Sequence, residues 1–481
     1  MLGKVEFQVF EDLFHPCSIA VVGASEDPGK PGGAFFRNLI TSGFKGRLYP
    51  VNIKGGRIGD FEVYRRLIDI PHPVDLVIVS IPREGVLDIL EECASKKVKG
   101  VHFFTAGFGE LGDSKGRELE EQMLRAARWG GFRIIGPNSA GMACPASAMP
   151  IAPEGFLGQA GDIAFLCQSG SLALGLLQVG MRRGLGFSKV VSLGNGLDLD
   201  STDFLRYFDA DPQTRIIALY LEGVKDGHLL LRLMKSTSRR KPLILWKGGR
   251  SRAGLAATCF HTAAPASPEF VWRDAARQAG ALWVEGLYEL ADTLLALQRL
   301  PRCQLKGIAV ISGLAEGGGG VGIAIADLLA DAGLDTPRFS SRTRAQLRAV
   351  LGDVGSILLN PLDVSQVRGR FQPIEEALTV AVPDSNIDLV LVHQNLYTLL
   401  RWHSWEKILD LNRMFVRVCR ERKKPLVMVL PPEMVETRSL ELEQELSRMG
   451  IPVYPSAERA ARALAQVKQY FSSIRSRAPS S

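Results

Sequence analysis

The sequence contains no uncharged apolar run approaching the ~20 residues that a membrane-spanning helix needs, so no membrane partner is expected. It has no C-x-x-C pair, and its 7 cysteines are odd in number and scattered. That excludes a zinc ribbon or a disulfide framework, fits a reducing cytoplasm, and leaves no metal-ligand set to read. A G-K-[ST] phosphate loop is missing as well. Neither sign of charge dominates: 58 lysines and arginines against 51 acids leave only +7. The basic clusters Arg239, Arg240, Lys241 and Arg420, Arg422, Lys423, Lys424 stand just before apolar strands, without interleaved aromatics. They read as solvated helix C-termini complementing the dipole, not as a nucleic-acid surface. The N-terminal stretch MLGKVEFQVFEDLF carries acids and lacks a long apolar centre, unlike a signal peptide.

What is present is ordinary globular composition, and 481 residues suggest three domains. Short runs that are apolar at nearly every position recur, followed by a glycine-rich turn and an amphipathic stretch. Examples are Ser18–Val22, Leu76–Ser80, Val101–Thr105, Ile163–Cys167, Ile216–Leu221, Leu243–Trp246, Ile308–Ser312, Leu389–His393 and Leu426–Leu430. Such runs read as strands buried on both faces, and their alternation with helices as doubly wound parallel α/β sheets. An internal repeat runs through the last two thirds. DIAFLCQSGSLALG matches GIAVISGLAEGGGG, DPQTRIIALYLE matches PDSNIDLVLVHQ, RRKPLILWKGG matches RKKPLVMVLPP, and the stretches after Gly280 and Gly450 match in turn. Order-preserving matches imply tandem domains of one kind. Three domains are expected, over residues 10–145, 158–300 and 305–473.

In the first domain, Ser18–Val22 ends in the turn Gly23-Ala24-Ser25, with a helix expected around Gly33–Ser42. A glycine there lets backbone approach a ligand, and exposed N–H groups would suit a phosphate. The G-x-G-x-x-G fingerprint is missing from this turn. At the end of the second strand no ribose-binding acid stands, only Asn52-Ile-Lys54, where a cation suits a ligand phosphate. Both absences count against an NAD(P)-dependent oxidoreductase. Further loops follow strands at Ser80-Ile-Pro82-Arg83, Thr105-Ala-Gly-Phe and Gly136-Pro137-Asn138. Loops at strand C-termini are where α/β sheets hold ligands.

In the second domain, Gln168-Ser169-Gly170-Ser171 reads as a strand–turn–helix, and a helix N-terminus with serine hydroxyls is an anion site or a plain cap. Glu222 follows the strand Ile216–Leu221, a carboxylate placed to orient a neighbouring group. His261, in TCFHTAAPAS, is the candidate nucleophile.

GAS, VNIKGG, IP, TAGF and GPN in this order resemble the CoA-binding domain of the ADP-forming (NDP-forming) acyl-CoA synthetases, relatives of the succinyl-CoA synthetase α subunit. QSGS, SLGN, YLEG and HT continue the likeness over about residues 10–470. The resemblance implies an α/β fold: an N-terminal Rossmann-like CoA-binding domain followed by two tandem flavodoxin-like, succinyl-CoA synthetase-like parallel-sheet domains. It implies CoA contacts at Gly23, Ala24, Ser25, Asn52, Lys54, Pro82, Arg83 and Asn138. By residue match it makes His261 the phosphorylated histidine, Glu222 the acceptor of its other imidazole nitrogen, and Gln168, Ser169, Gly170 and Ser171 the phosphate cradle. The family's usual HTG is here HTAAPAS, with Ala263 in place of glycine and Pro265 in the loop.

The likeness stops before the family's ATP-grasp region. It therefore implies an α-type subunit of an acid–thiol ligase in a cytoplasmic homo- or hetero-oligomer, with ATP/ADP and Mg held by a separate ATP-grasp β subunit. The alternative is a non-catalytic CoA- or acyl-CoA-binding protein with a degenerate histidine loop. In the third domain, Gly317–Gly322 and Asn360-Pro-Leu-Asp363 resemble the family's glycine-rich turn and NPxD loop, with a place at the acyl pocket or subunit interface; His393 and His403 read as structural.

Overall fold

The computed structural model describes residues 3–151, 155–261, 267–301, 305–314, 319–352, 358–367, 370–432 and 434–475, except the side chains of 259–261 and 474–475. It forms two compact units, residues 1–181 with 185–290 and residues 182–184 with 291–481. No described helix is long and apolar enough to cross a membrane.

Besides the two-stranded antiparallel pair Arg57–Ile58 with Phe61–Glu62, the first unit holds two large sheets. One is wholly parallel, ordered Arg47–Val51, Ser18–Val22, Leu76–Val79, Gly100–Phe103, Arg133–Ile135. The interior strand Ser18–Val22 is buried at every position, as a near-continuous apolar run between two neighbours requires. The second sheet is ordered Leu282–Val284, Leu243–Lys247, Ile216–Leu221, Gln159–Cys167, Gly186–Ser192, and Gly141–Ala143 joins its edge antiparallel. That last strand falls inside the stretch read as the first domain, yet its hydrogen bonds go to Gly186–Ser192. The helix Lys4–Phe14 lies against the helix Ser201–Ala210, with Phe10 and Phe14 stacked on Tyr207. The second unit carries one parallel sheet, ordered Leu362–Asp363, Ile308–Ser312, Leu389–His393, Leu426–Val429, Val453–Tyr454.

Counted along the chain within each sheet, the five parallel strands have the order 2-1-3-4-5 three times over. In such a sheet the connections leave to opposite sides after strands 1 and 3, which opens a crevice at their C-terminal ends. The residues following those strands are Gly23 and Ser80 in the first sheet, Gln168 and Glu222 in the second, and Gly313 and Gln394 in the third.

The charge clusters serve the scaffold. Arg240 pairs with Asp209, and Lys241 donates to the carbonyls of Phe208 and Asp211, both at 2.7 Å. Arg420 and Lys424 donate to the carbonyls of Met449 and Ile387. In the third sheet, Asn360 spends its amide on the Val310 N–H and on the carbonyls of Ile308 and Pro337. It fastens strand ends rather than offering a ligand contact. The turn residues Gly317 and Gly318 lie outside the described residues.

Candidate active site

At the first crevice, the chain turns at Gly23 with φ +93°, and a β-carbon there would sit 2.3 Å from the Ser80 carbonyl oxygen. The expectation of exposed N–H groups at this turn is corrected. Gly23 and Ala24 both donate to the Val51 carbonyl, at 2.9 and 3.2 Å, because the turn prolongs the ladder between the first two strands. What the glycine provides is the close approach of two strand ends. Asn52 donates its amide to the Ala24 carbonyl at 2.8 Å and accepts the Lys54 N–H at 3.0 Å, which holds the exposed Lys54 at the rim. Ser25 is half-buried and Pro82 exposed. Arg83 donates to the Gly107 carbonyl at 2.6 Å and pairs with Glu84, so it ties the third loop to the fourth. Thr105 donates to the Ile81 carbonyl at 2.7 Å and accepts, through its own carbonyl, the Asn138 N–H at 2.9 Å. The loops carrying Gly23, Lys54, Arg83 and Asn138 thus form one connected rim.

That rim is joined to the second crevice. Ser139 donates to the Ser192 carbonyl at 2.6 Å, Ala140 N–H to Ser192 Oγ at 3.0 Å, and Asn195 N–H to the Pro137 carbonyl at 3.0 Å. Beneath the loop, the buried His102 donates from Nε2 to the Ser139 carbonyl at 2.9 Å and lies edge-on to Phe35. Burial pushes the His102 imidazole down to about 4, although the Ser139 bond opposes the shift. Of the acids after SLGN, Asp198 grips Arg133 with two bonds, at 2.8 and 3.0 Å, and Asp200 caps the helix Ser201–Ala210. No group of three or more His, Cys, Asp or Glu side chains able to hold a metal occurs among the described residues.

In the second crevice the helix Gly170–Arg183 begins directly after Gln168 and Ser169. Both of these side chains are buried, and Ser169 Oγ lies 3.1 Å from the exposed Ser171 Oγ. Gln168 does not point its amide oxygen at an anion. That oxygen accepts the N–H groups of Glu222 and Gly223, so Gln168 aligns the two strand ends. Glu222 is 3% exposed, and the Tyr220 hydroxyl donates to its Oε1 at 3.2 Å. Lys247, 1% exposed, donates to the carbonyls of Glu222, at 2.8 Å, and of Gly248, and lies over the Trp272 ring. Burial lowers its affinity for a proton, and the Glu222 charge partly restores it.

His261 closes the helix Arg252–His261, which follows the strand Leu243–Lys247 and lies against the turn Gly109–Leu111. The loop residues Thr262, Ala263 and Pro265 lie outside the described residues. Beyond that loop, Ser267 accepts the Trp272 indole N–H at 2.7 Å. Tyr220 and Lys247 were not singled out from sequence. A signal existed for the first: residues two apart on a strand share a face, which puts Tyr220 beside Glu222.

Residues 17–145 match a CoA binding domain and residues 160–297 a succinyl-CoA ligase-like flavodoxin domain. The α subunit of ADP-forming acetate–CoA ligase I from Pyrococcus furiosus is 34% identical over 96% of this chain and 97% of its own length. The ADP-forming acetate–CoA ligase I of Archaeoglobus fulgidus is 36% identical, but the match spans only 54% of that protein. Among solved structures, the acetyl-coenzyme A synthetase 1 of Ca. Korarchaeum cryptofilum, in complex with phosphate and ADP, superposes with a TM-score of 0.83. It is 28% identical, and the match covers 98% of this chain and 99% of that one. With these two family matches and 34% identity over 96% of its length to an ADP-forming acetate–CoA ligase α subunit, the chain belongs to the family of ADP-forming acid–CoA ligase α subunits.

Proposed function

We propose that this chain is the α-type subunit of an ADP-forming acyl-CoA synthetase that binds CoA or acyl-CoA and relays a phosphoryl group through His261. The observation that carries the reading is the buried Glu222 carboxylate at a strand end, beside the start of the helix Gly170–Arg183. Both lie in the crevice that adjoins the Asn138 loop. In this reading CoA lies along the rim of Gly23, Ala24, Ser25, Asn52, Lys54, Pro82, Arg83 and Asn138, with the exposed Lys54 meeting its phosphates.

Phosphate displaces CoA from the acyl-CoA and gives an acyl phosphate. The His261 imidazole attacks that phosphorus, the acid leaves, and the phosphoryl group passes to ADP. Glu222 fixes the imidazole tautomer. The N–H groups and hydroxyls of Ser169, Gly170 and Ser171 hold the dianion at the helix N-terminus, with Gln168 setting their alignment. ATP or ADP with Mg is assigned to a separate ATP-grasp β subunit, and the assembly to the cytoplasm. The P. furiosus α subunit is matched over nearly all its length and the longer A. fulgidus protein over about half, which supports a chain that works with such a partner.

The test is phosphoryl labelling from acyl phosphate, or from ATP with the partner. The label is expected to be acid-labile and base-stable, absent in His261→Ala and slow in Glu222→Gln. In Ala263→Gly, faster labelling would mark HTAAPAS as a damaged version of the family loop. No label on the unaltered protein with its partner and a panel of acyl-CoAs would leave a non-catalytic CoA-binding protein as the better reading.

A further inference from the structure

We infer that Tyr220 is a positioning residue of the phosphoryl-relay site: its hydroxyl fixes the rotamer and the charge of Glu222. The inference rests on the reading of Glu222 as the partner of His261.

Tyr220 is 8% exposed, at the penultimate position of the strand Ile216–Leu221. Its ring is clamped edge-on by Trp246, with centroids 4.6 Å apart. Its hydroxyl reaches Glu222 Oε1 at 3.2 Å. The room for that hydroxyl comes from Gly248, where a β-carbon would stand 2.3 Å from the Tyr220 oxygen and 3.0 Å from Glu222 Cγ. A phenol wedged in this way has one direction to donate, and the carboxylate takes the other end of the bond.

Lys247, Cys167 and Tyr220 are titratable groups that face Glu222. Lys247 lies on the neighbouring strand with its ammonium on the Glu222 carbonyl. Cys167, on the other neighbouring strand, has its thiol driven up by burial; the Ser169 bond opposes that shift and the Glu222 charge adds to it, so the thiol stays neutral. Burial, and then the Glu222 charge, likewise hold the Tyr220 phenol above its ordinary value, so it remains a donor. A hydrogen bond donated to a carboxylate favours its charged form. Removing it therefore raises the pH at which Glu222 takes up a proton.

Tyr220→Phe keeps the ring against Trp246 and removes only the hydroxyl. The first measurement is a carbon-13 carboxyl titration of the full chain, with the Glu222 signal assigned by its loss in Glu222→Gln. The Glu222 midpoint is expected to rise by about one unit in Tyr220→Phe. An unmoved midpoint would falsify the inference whether or not His261 is ever phosphorylated. The second measurement is the labelling rate against pH. The rate is expected to fall about tenfold near neutrality, with its acidic limb displaced upward by the same unit. A uniform loss at every pH, with the limb in place, would mark Tyr220 as scaffold only and also overturn the inference. A label lost in His261→Ala but unaffected by Tyr220→Phe would do the same while leaving the proposed function standing. A moved midpoint in a chain that takes no label would uphold the Tyr220–Glu222 coupling and remove the histidine reading.

Discussion

Gly194 faces the carbonyls of Pro137 and Asn138 so closely that a β-carbon would stand 2.3 and 2.4 Å from their oxygens. This glycine, at φ +60°, is where the SLGN loop of the second sheet meets the GPN loop of the first. Gly194→Ala combines left-handed strain with a clash against backbone and is expected to cost about 2–4 kcal/mol. It should also weaken CoA, because the Asn138 loop must move. Gly43→Ala, at φ +81° but with open space around it, should cost only about 1 kcal/mol. Thermal unfolding and CoA calorimetry on both variants check the difference.

Gln168→Leu leaves the N–H groups of Glu222 and Gly223 without their acceptor in a dry site. A loss of roughly 1–3 kcal/mol is expected, read by urea unfolding. Gln168→Glu keeps an acceptor and restores much of the stability, but sets a second carboxylate against Glu222. Labelling should then be slow although the fold is intact. Equal labelling in both variants would remove Gln168 from the site's machinery.

His102 gives a pH signature. Its folded value, about 4, lies below the unfolded one near 6.5, so the unfolded chain binds the extra proton first. The stability it contributes is complete above pH ~6.5 and is lost as pH falls toward 4, about 3 kcal/mol in all. Because the ring carries the Ser139 carbonyl, CoA affinity should fall over the same window. His102→Gln should flatten both curves in denaturant and binding titrations between pH 7 and 4.

Lys54 is exposed at the rim with its backbone fixed by Asn52. Lys54→Ala is expected to weaken CoA roughly tenfold at low ionic strength and less in salt, since the charge acts through water. Dephospho-CoA and CoA compared by calorimetry show which phosphate the lysine meets. Tight NADH binding without CoA binding would overturn the ligand assignment.

The long buried strands were legible because each is apolar at nearly every position. Gly186–Ser192 was not, since its run GFSKVVS holds a lysine. Lys189 is fully buried and pairs with Asp211 at 2.7 Å, a solution that periodicity cannot reveal. The short strands Gly141–Ala143 and Leu362–Asp363 carry too few residues to show a pattern. Glu222 could be placed at a strand end from sequence. That Gln168 would serve backbone N–H groups, or that the Gly23 and Ala24 N–H groups would be consumed by the sheet, depends on which strands are neighbours.

The threefold recurrence of one strand order lets the repeat be compared position by position. The matched runs YLE and VHQ put Gln394 in the third sheet where the second has Glu222. Gln394 is fully buried, and its amide is exchanged with that of Asn412 in two bonds, at 3.1 and 3.2 Å. Keeping a carboxylate ionised out of water is costly unless it is paired and hydrogen-bonded. At this position the third sheet is thus the electrically silent twin of the second. A neutral amide clasp stands there, and injury to that clasp should register in unfolding curves while leaving the acid limb of the chemistry where it was.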